Sequence, residues 1–228
     1  IIYIYIMDLT EEMIINTFYI TYVFLLTTGT ITFIEAMRTK DVKIRNILNL
    51  ETCISVIAAF FYGKFVKEIE DTKDKEIDYE KITRNRYTDW AITTPIMLLV
   101  LLLAFLYNSN GGPLKFSTYL KVLGLNFGML GMGYSGMIGL INKTMANVIG
   151  FAFFASMYGY IYKTFLSKKY NFNSMLLFYC FLILWAMYGV FYQMEPIKQN
   201  VGYNILDLFS KCFVGIWFVC YFTKMFKL

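Results

Sequence analysis

Asp207 and Lys211 stand four residues apart in the apolar run "NILDLFSKCFVGIWF", so a helix places both on one face. An ionisable side chain inside a membrane span costs about 2.5–3.5 kcal/mol on insertion scales, and each one needs a partner or a task. From this helix alone two readings stay open: an internal ion pair that ties a bundle together, or a lysine whose amine is covalently occupied as a Schiff base. A second polar stripe opens another apolar run. In "RYTDWAITTP", Arg86, Asp89 and Thr93 follow one another at spacings of three and four, and Thr94 and Pro95 come next. Proline can kink a transmembrane helix and free a carbonyl, and Asp89 is a second carboxylate available to one buried cation. Trp185, Tyr188 and Tyr192 form an aromatic stripe, while Gly131 and Gly133 in "NFGMLGMGYSG" leave room between helices. Taken singly, an aromatic stripe is ordinary core and glycines serve helix packing. Together with a lysine, two carboxylates and an arginine, they describe a pocket for an elongated apolar cofactor joined to Lys211.

The elements that position these residues are membrane helices. Of the 228 residues, 58% are hydrophobic, 19% aromatic and 16% charged, with a mean hydropathy of +0.53, too apolar for an ordinary soluble domain. A spanning helix needs about 20 apolar residues. Seven windows qualify, roughly 13–37, 47–67, 87–108, 116–139, 146–166, 174–194 and 203–223. The expected fold is an all-α, seven-transmembrane-helix bundle forming a single domain over residues 1–228. The opening "IIYIYIMDLTEE" lacks the basic region and cleavage site of a signal peptide, so the first span inserts as it stands. Lys and Arg bias places the N-terminus outside: Arg38, Lys40, Lys43, Arg45, Lys115, Lys168, Lys169, Lys224 and Lys227 fall on the cytoplasmic side, with the C-terminus, and Asp8, Glu11 and Glu12 fall outside. The net charge of +5 is then a topology signal, and no nucleic-acid partner is expected. Cys53, Cys180, Cys212 and Cys220 make no paired metal spacing and read as small core residues. There is no histidine, which excludes histidine-ligated metals and histidine proton relays. Neither a metal site nor an enzyme activity is expected.

At this point the motifs resemble the microbial (type 1) rhodopsins. "RYTDW..TTP" is similar to their third helix, Trp185, Tyr188 and Tyr192 to their sixth-helix aromatic pattern, and Asp207 to Lys211 to the seventh-helix D...K. The resemblance covers the second to seventh helices, while the first matches only in type. It implies all-trans retinal bound covalently to Lys211 as a protonated Schiff base, with Asp89 and Asp207 as counterions ordered by Arg86, Tyr62 and Tyr188. It implies a pocket walled by Trp90, Met129, Gly133, Trp185 and Tyr192 beside Thr93 and Thr94. Nearby opposite charge favours the charged form of a buried cation. This sequence departs from the pattern in three places: Gly189 stands where the sixth helix normally has proline, Asn126 where some pumps have aspartate, and Val100 where outward proton pumps carry the acid that reprotonates the Schiff base.

Val100 lies eleven residues beyond Asp89, about 16 Å along a helix, and Glu51 lies eleven before Tyr62 on the antiparallel second helix. Glu51 is thus expected at the level of the empty donor position, as a substitute donor, a polar gate, or a residue snorkelling toward headgroups. Asn204, Asn16, Thr17 and Arg86 are candidates for an ion path that continues past Thr27, Thr28 and Thr30, since such residues line water and pass partly dehydrated cations. The short length and the richness in Ile, Lys, Asn, Tyr and Phe resemble the rhodopsins of giant algal viruses, and within them the group with a second-helix glutamate and no third-helix donor resembles light-gated cation channels. The expectation is a light-gated channel for Na⁺, K⁺ or H⁺ in an infected host's membrane, with the bilayer, monovalent cations or protons, and a homo-oligomer as partners. A light-driven outward proton pump is the close alternative, and a sensory photoreceptor a more distant one.

Overall fold

In the computed structural model, residues 2–72, 77–167 and 171–223 are described, with side chains of the first helix from Glu12 onward. Lys168, Lys169, Lys224 and Lys227, whose charges bear on orientation in the membrane, lie outside the described residues, as do the side chains of Asp8 and Glu11. Seven helices follow one another: α1 Ile2–Arg38, α2 Val42–Glu70, α3 Tyr79–Asn108, α4 Phe116–Met137, α5 Lys143–Leu166, α6 Phe172–Tyr192 and α7 Pro196–Thr223. There is no strand among the described residues.

The starts of these helices are written in short polar side chains. Asp41 accepts from the Lys43 and Ile44 amides at 2.8 and 3.3 Å, Asp78 from Lys81 at 2.8 Å, Asn142 from Thr144 at 2.9 Å and Asn171 from Ser174 at 3.0 Å, each satisfying amides that the first turn leaves free. Pro196 opens α7, where no amide donor is needed. Several helices therefore begin earlier than their apolar windows: α3 starts at Tyr79 and α7 at Pro196.

Six of the helices are long and apolar enough to cross a membrane. The exception, α4, spends its length on Lys121, Asn126 and five glycines, residues that add little hydropathy. Burial is inverted relative to a soluble protein: Val23, Phe33, Phe60 and Ile183 are exposed, while Arg86, Asp89, Asp207 and Lys211 are buried. Apolar side chains facing outward and charges facing inward are what a lipid solvent selects.

Sequential helices pack side by side from α1 to α7, and α7 returns to α1, so the bundle closes. Two large apolar clusters and a small aromatic one, Tyr87, Trp90 and Tyr203, fill it. One of the large clusters joins Leu48, Leu98, Val100, Phe105, Phe178 and Phe218, and the other Phe18, Leu25, Ala58, Phe65 and Cys212. Cys212 is buried as expected, but Cys53 and Cys180 are exposed on the apolar exterior, because helix phase turns them away from the core.

Candidate functional site

Within α7 the regular turn widens to a π-type turn over Leu208–Phe213, and Lys211 lies inside it with Asp207 just before. Such single wide turns recur at functional sites. Here the widened turn keeps Asp207, Ser210, Lys211 and Cys212 all facing inward. Lys211 Nζ lies 2.8 Å from Asp89 Oδ2 of α3 and 3.3 Å from Asp207 Oδ1. Asp89 and Asp207 are fully buried, and Lys211 is 1% exposed.

The two carboxylates are held differently. Asp207 accepts from the Tyr188 hydroxyl at 2.6 Å on one oxygen and from the Tyr62 hydroxyl at 2.9 Å on the other. Arg86 Nη1 stands 3.6 Å from the same Asp207 Oδ2 and donates to the Tyr62 oxygen at 2.9 Å. Asp89 has Lys211 on Oδ2, while its Oδ1 has no partner among the described residues. One carboxylate is clamped and the other has a free face.

Arg86 is itself immobilised. Its Nε donates to Asn200 Oδ1 at 3.2 Å and its Nη2 to Asn204 Oδ1. The rings of Phe18, Tyr62 and Phe65 lie 5.0–5.2 Å from the guanidinium carbon, close enough for cation–π attraction. Asn204 Nδ2 donates onward to Thr17 Oγ1 at 2.7 Å, and Asn200 Nδ2 to Thr83 Oγ1 at 3.0 Å.

Beside Lys211 opens an apolar cavity walled by α3 to α7, concave and aromatic-lined as small-molecule sites are. Trp90, Thr94, Met129, Gly133, Trp185, Tyr188 and Tyr192 line it with Lys211 and Asp207. Thr93 is buried but does not line it; its hydroxyl donates back to the Asp89 carbonyl at 2.9 Å. Gly133 is required by close approach: a Cβ there would come 2.7 Å from the Tyr87 hydroxyl, and its carbonyl accepts from Tyr192 at 2.9 Å. Gly131 meets nothing within 4 Å and takes no part. Sequence reasoning missed Tyr87, Asn147, Phe151, Tyr203 and Ser210 in this wall. Ser210 adjoins Lys211 and Tyr87 adjoins Arg86, so adjacency was the available signal for these two. At Gly189, which stands where the family pattern has proline, α6 runs on to Tyr192; the Phe151 ring packs against the bare glycine, and Asn147 Nδ2 donates to the Gly189 carbonyl at 3.0 Å. Asn126 Nδ2 donates to Thr94 at 2.8 Å.

The path candidates divide. Thr17, Asn204 and Arg86 join the buried network. Asn16 does not: it is exposed on α1, because the buried face runs through Ile14, Phe18, Thr21 and Leu25 and helix phase turns Asn16 away from it. Thr27 and Thr30 face outward likewise, each bonded to its own helix at 2.9 Å, whereas Thr28 and Thr32 point inward. Val100 is wholly buried in the apolar cluster. Glu51 is 2% exposed, with no ion pair among the described residues. Its depth removes the snorkelling alternative, since the carboxyl lies against Gly215 of α7, where an added Cβ would come 3.3 Å from Glu51 Oε2.

Comparison with known proteins gives a consistent result. The profile of the family described as "Bacteriorhodopsin-like protein" matches residues 13–225. No curated protein matches. Among solved structures, the viral rhodopsin OLPVRII is 56% identical, with a TM-score of 0.88 over 94% of this chain and 100% of that one. Acetabularia rhodopsin I is 16% identical, with a TM-score of 0.77 over 94% of this chain and 95% of that one. The bromide-bound halorhodopsin of Halobacterium salinarum is 14% identical, with a TM-score of 0.75 over the same shares. At these last two identities the likeness speaks to the fold alone.

Proposed function

The chain belongs to the bacteriorhodopsin-like family, and from that premise we propose that it is a light-gated cation channel with Lys211 as the retinal-bearing residue and Glu51 in the ion path. Family membership implies a retinal chromophore and an integral membrane protein. The residues present fit that group: an apolar, aromatic-walled cavity ends at a lysine amine whose neighbouring carboxylate oxygen, Asp89 Oδ1, has no partner among the described residues. Lys211 would hold all-trans retinal as a protonated Schiff base, Asp89 and Asp207 would be the counterions, and Trp90, Thr94, Met129, Gly133, Trp185 and Tyr192 would wall it. When bound, retinal supplies absorption of visible light and a double-bond isomerisation that redirects the charge carried at Lys211.

The protein's response to that redirection is set by its own residues. Tyr62, Tyr188 and Arg86 fix Asp207 in place, so Asp207 balances charge without moving. Asp89 is free on one oxygen and is therefore the better seat for a displaced proton. The observation that supports a channel is the pairing of a wholly apolar Val100 with a buried Glu51 set between α1, α2 and α7, where Thr28 and Thr32 also point inward. Such a polar file suits partly dehydrated monovalent cations. The N-terminus is assigned outside and the C-terminus in the cytoplasm from the loop charges, with residues 1–228 as one domain. The 56% identity to a viral rhodopsin supports a virus-encoded protein in an infected host's membrane.

A second reading, an outward proton pump, is favoured by the 2.8 Å contact between Lys211 and Asp89, short enough for direct proton transfer. Photocurrent against voltage under altered Na⁺ and K⁺ gradients decides between them. A channel gives a reversal potential that follows the gradients, and Glu51→Gln changes its conductance. A current that stays outward at every voltage and ignores the gradients establishes the pump instead.

A further inference from the structure

On α2, Glu51, Ser55, Ala58 and Tyr62 follow at spacings of four, three and four, so they share the face turned toward α7. Tyr62 ends this stripe at Asp207 and Glu51 ends it at Gly215. Between them, Ser55 is fully buried and its hydroxyl has no partner among the described residues. That is unusual in this bundle. Thr17, Thr21, Thr27, Thr30, Thr32, Thr52, Thr93 and Thr94 all donate to a carbonyl of the preceding turn, which is the common resolution for a hydroxyl in a span. Ser55 could bond the Glu51 carbonyl in the same way and does not.

A buried hydroxyl left unbonded costs about 1–3 kcal/mol, and buried polar groups are routinely satisfied by ordered water. Residues four apart on a helix have Cβ atoms about 5–6 Å apart, so the Ser55 and Glu51 side chains are neighbours on this face. The neighbouring helices put glycines against both side chains. Gly29 of α1 faces Ser55, where a Cβ would come 3.3 Å from Ser55 Cβ, and Gly215 of α7 faces the Glu51 carboxyl.

We propose that Ser55 and Glu51 bind a water molecule between them, and that Ser55, through this water, is a positioning residue that aims the Glu51 carboxyl along α2 toward Tyr62 and Lys211. This deepens the role of Glu51 in the proposed ion path, and rests on that reading only for its consequence in the light. The site itself is a property of the protein in the dark.

Infrared spectra of the purified full chain, recorded in the dark in H₂O, D₂O and H₂¹⁸O, test it. Glu51→Gln identifies the carboxyl band of Glu51, and the isotope shifts identify bound water. The expected result is that Ser55→Ala removes one ordered-water band and shifts the Glu51 carboxyl band to higher frequency as it loses a hydrogen bond. Ser55→Thr, which keeps the hydroxyl, restores both. Gly215→Ala, which crowds the Glu51 carboxyl while leaving Ser55 intact, also displaces the water. If the Glu51 band and the water bands are the same in wild type, Ser55→Ala and Gly215→Ala, the site does not exist. If the bands change but photocurrents of Ser55→Ala and Glu51→Gln match wild type, the water site stands and the proposed ion path is what fails.

Discussion

Arg86 is fully buried and stands near Asp207, Tyr62, Asn200 and Asn204 at once. Removing one member of a buried ion pair costs about 3–5 kcal/mol, because the charge left behind loses its compensation. Arg86→Ala should therefore lower the thermal unfolding temperature far more than Arg38→Ala, which breaks a Glu35 pair at a side chain 72% exposed and costs about 0–1 kcal/mol. Equal losses in the two variants would remove the structural role given to Arg86. Lys211→Ala should fold and yet form no visible pigment when retinal is added, as read from its absorption spectrum; a coloured mutant would refute the pocket assignment. These charged residues were legible in the sequence because charge within an apolar run is conspicuous. Asn147, Asn200 and Tyr203 were not, since a neutral amide or a tyrosine in a span resembles many others until its partner on another helix is known. Asn16 was over-read for the converse reason: its type suited a path, and only the phase of α1 against its neighbours shows that it faces outward.

At the scale of the element, close helix approach is set by glycines that the sequence presents without distinction. Gly202 of α7 sits directly under the Phe191 ring of α6, whereas Gly159 of α5 meets nothing within 4 Å. Gly202→Ala should destabilise by about 1–3 kcal/mol, the usual cost of overfilling a packed contact. Gly159→Ala should be neutral or stabilise by up to about 1 kcal/mol, through helix propensity alone. Thermal melts of the two purified variants check the contrast, and a common direction of change would contradict it. The same element scale explains what hydropathy could and could not place. It located the seven helices, but not their starts, which depend on Asp41, Asp78, Asn142 and Asn171 capping the first turns. The widened turn in α7, which carries Lys211 beside Asp89 and Asp207, left no mark in the residue pattern either.

For the whole molecule, the charged centre lies between two apolar clusters, and its ion contacts span 2.8–3.6 Å without exposed atoms. Raising salt from about 0.1 to 1 M shortens the Debye length from about 10 to 3 Å, and this screens exposed pairs while leaving buried ones largely untouched. Among the exposed pairs are Glu35–Arg38 and Glu195–Lys198. Unfolding stability should accordingly change by less than about 1 kcal/mol over that range, measured by thermal melts in one detergent; a large loss would mean that salt reaches the centre. The four central groups also have a consequence in terms of electroneutrality. Arg86 and Lys211 bring two positive charges, and Asp89 and Asp207 two negative ones. A proton passing from the Lys211 side to Asp89 leaves that sum at zero, so the first displacement is governed by geometry rather than by the creation of charge. A proton that then departs altogether leaves the interior one unit negative, an imbalance costing several kcal/mol in so dry a place. Departure and replacement would thereby be coupled, and under the proposed function whichever cation restores the sum, by whichever route, is the one transported.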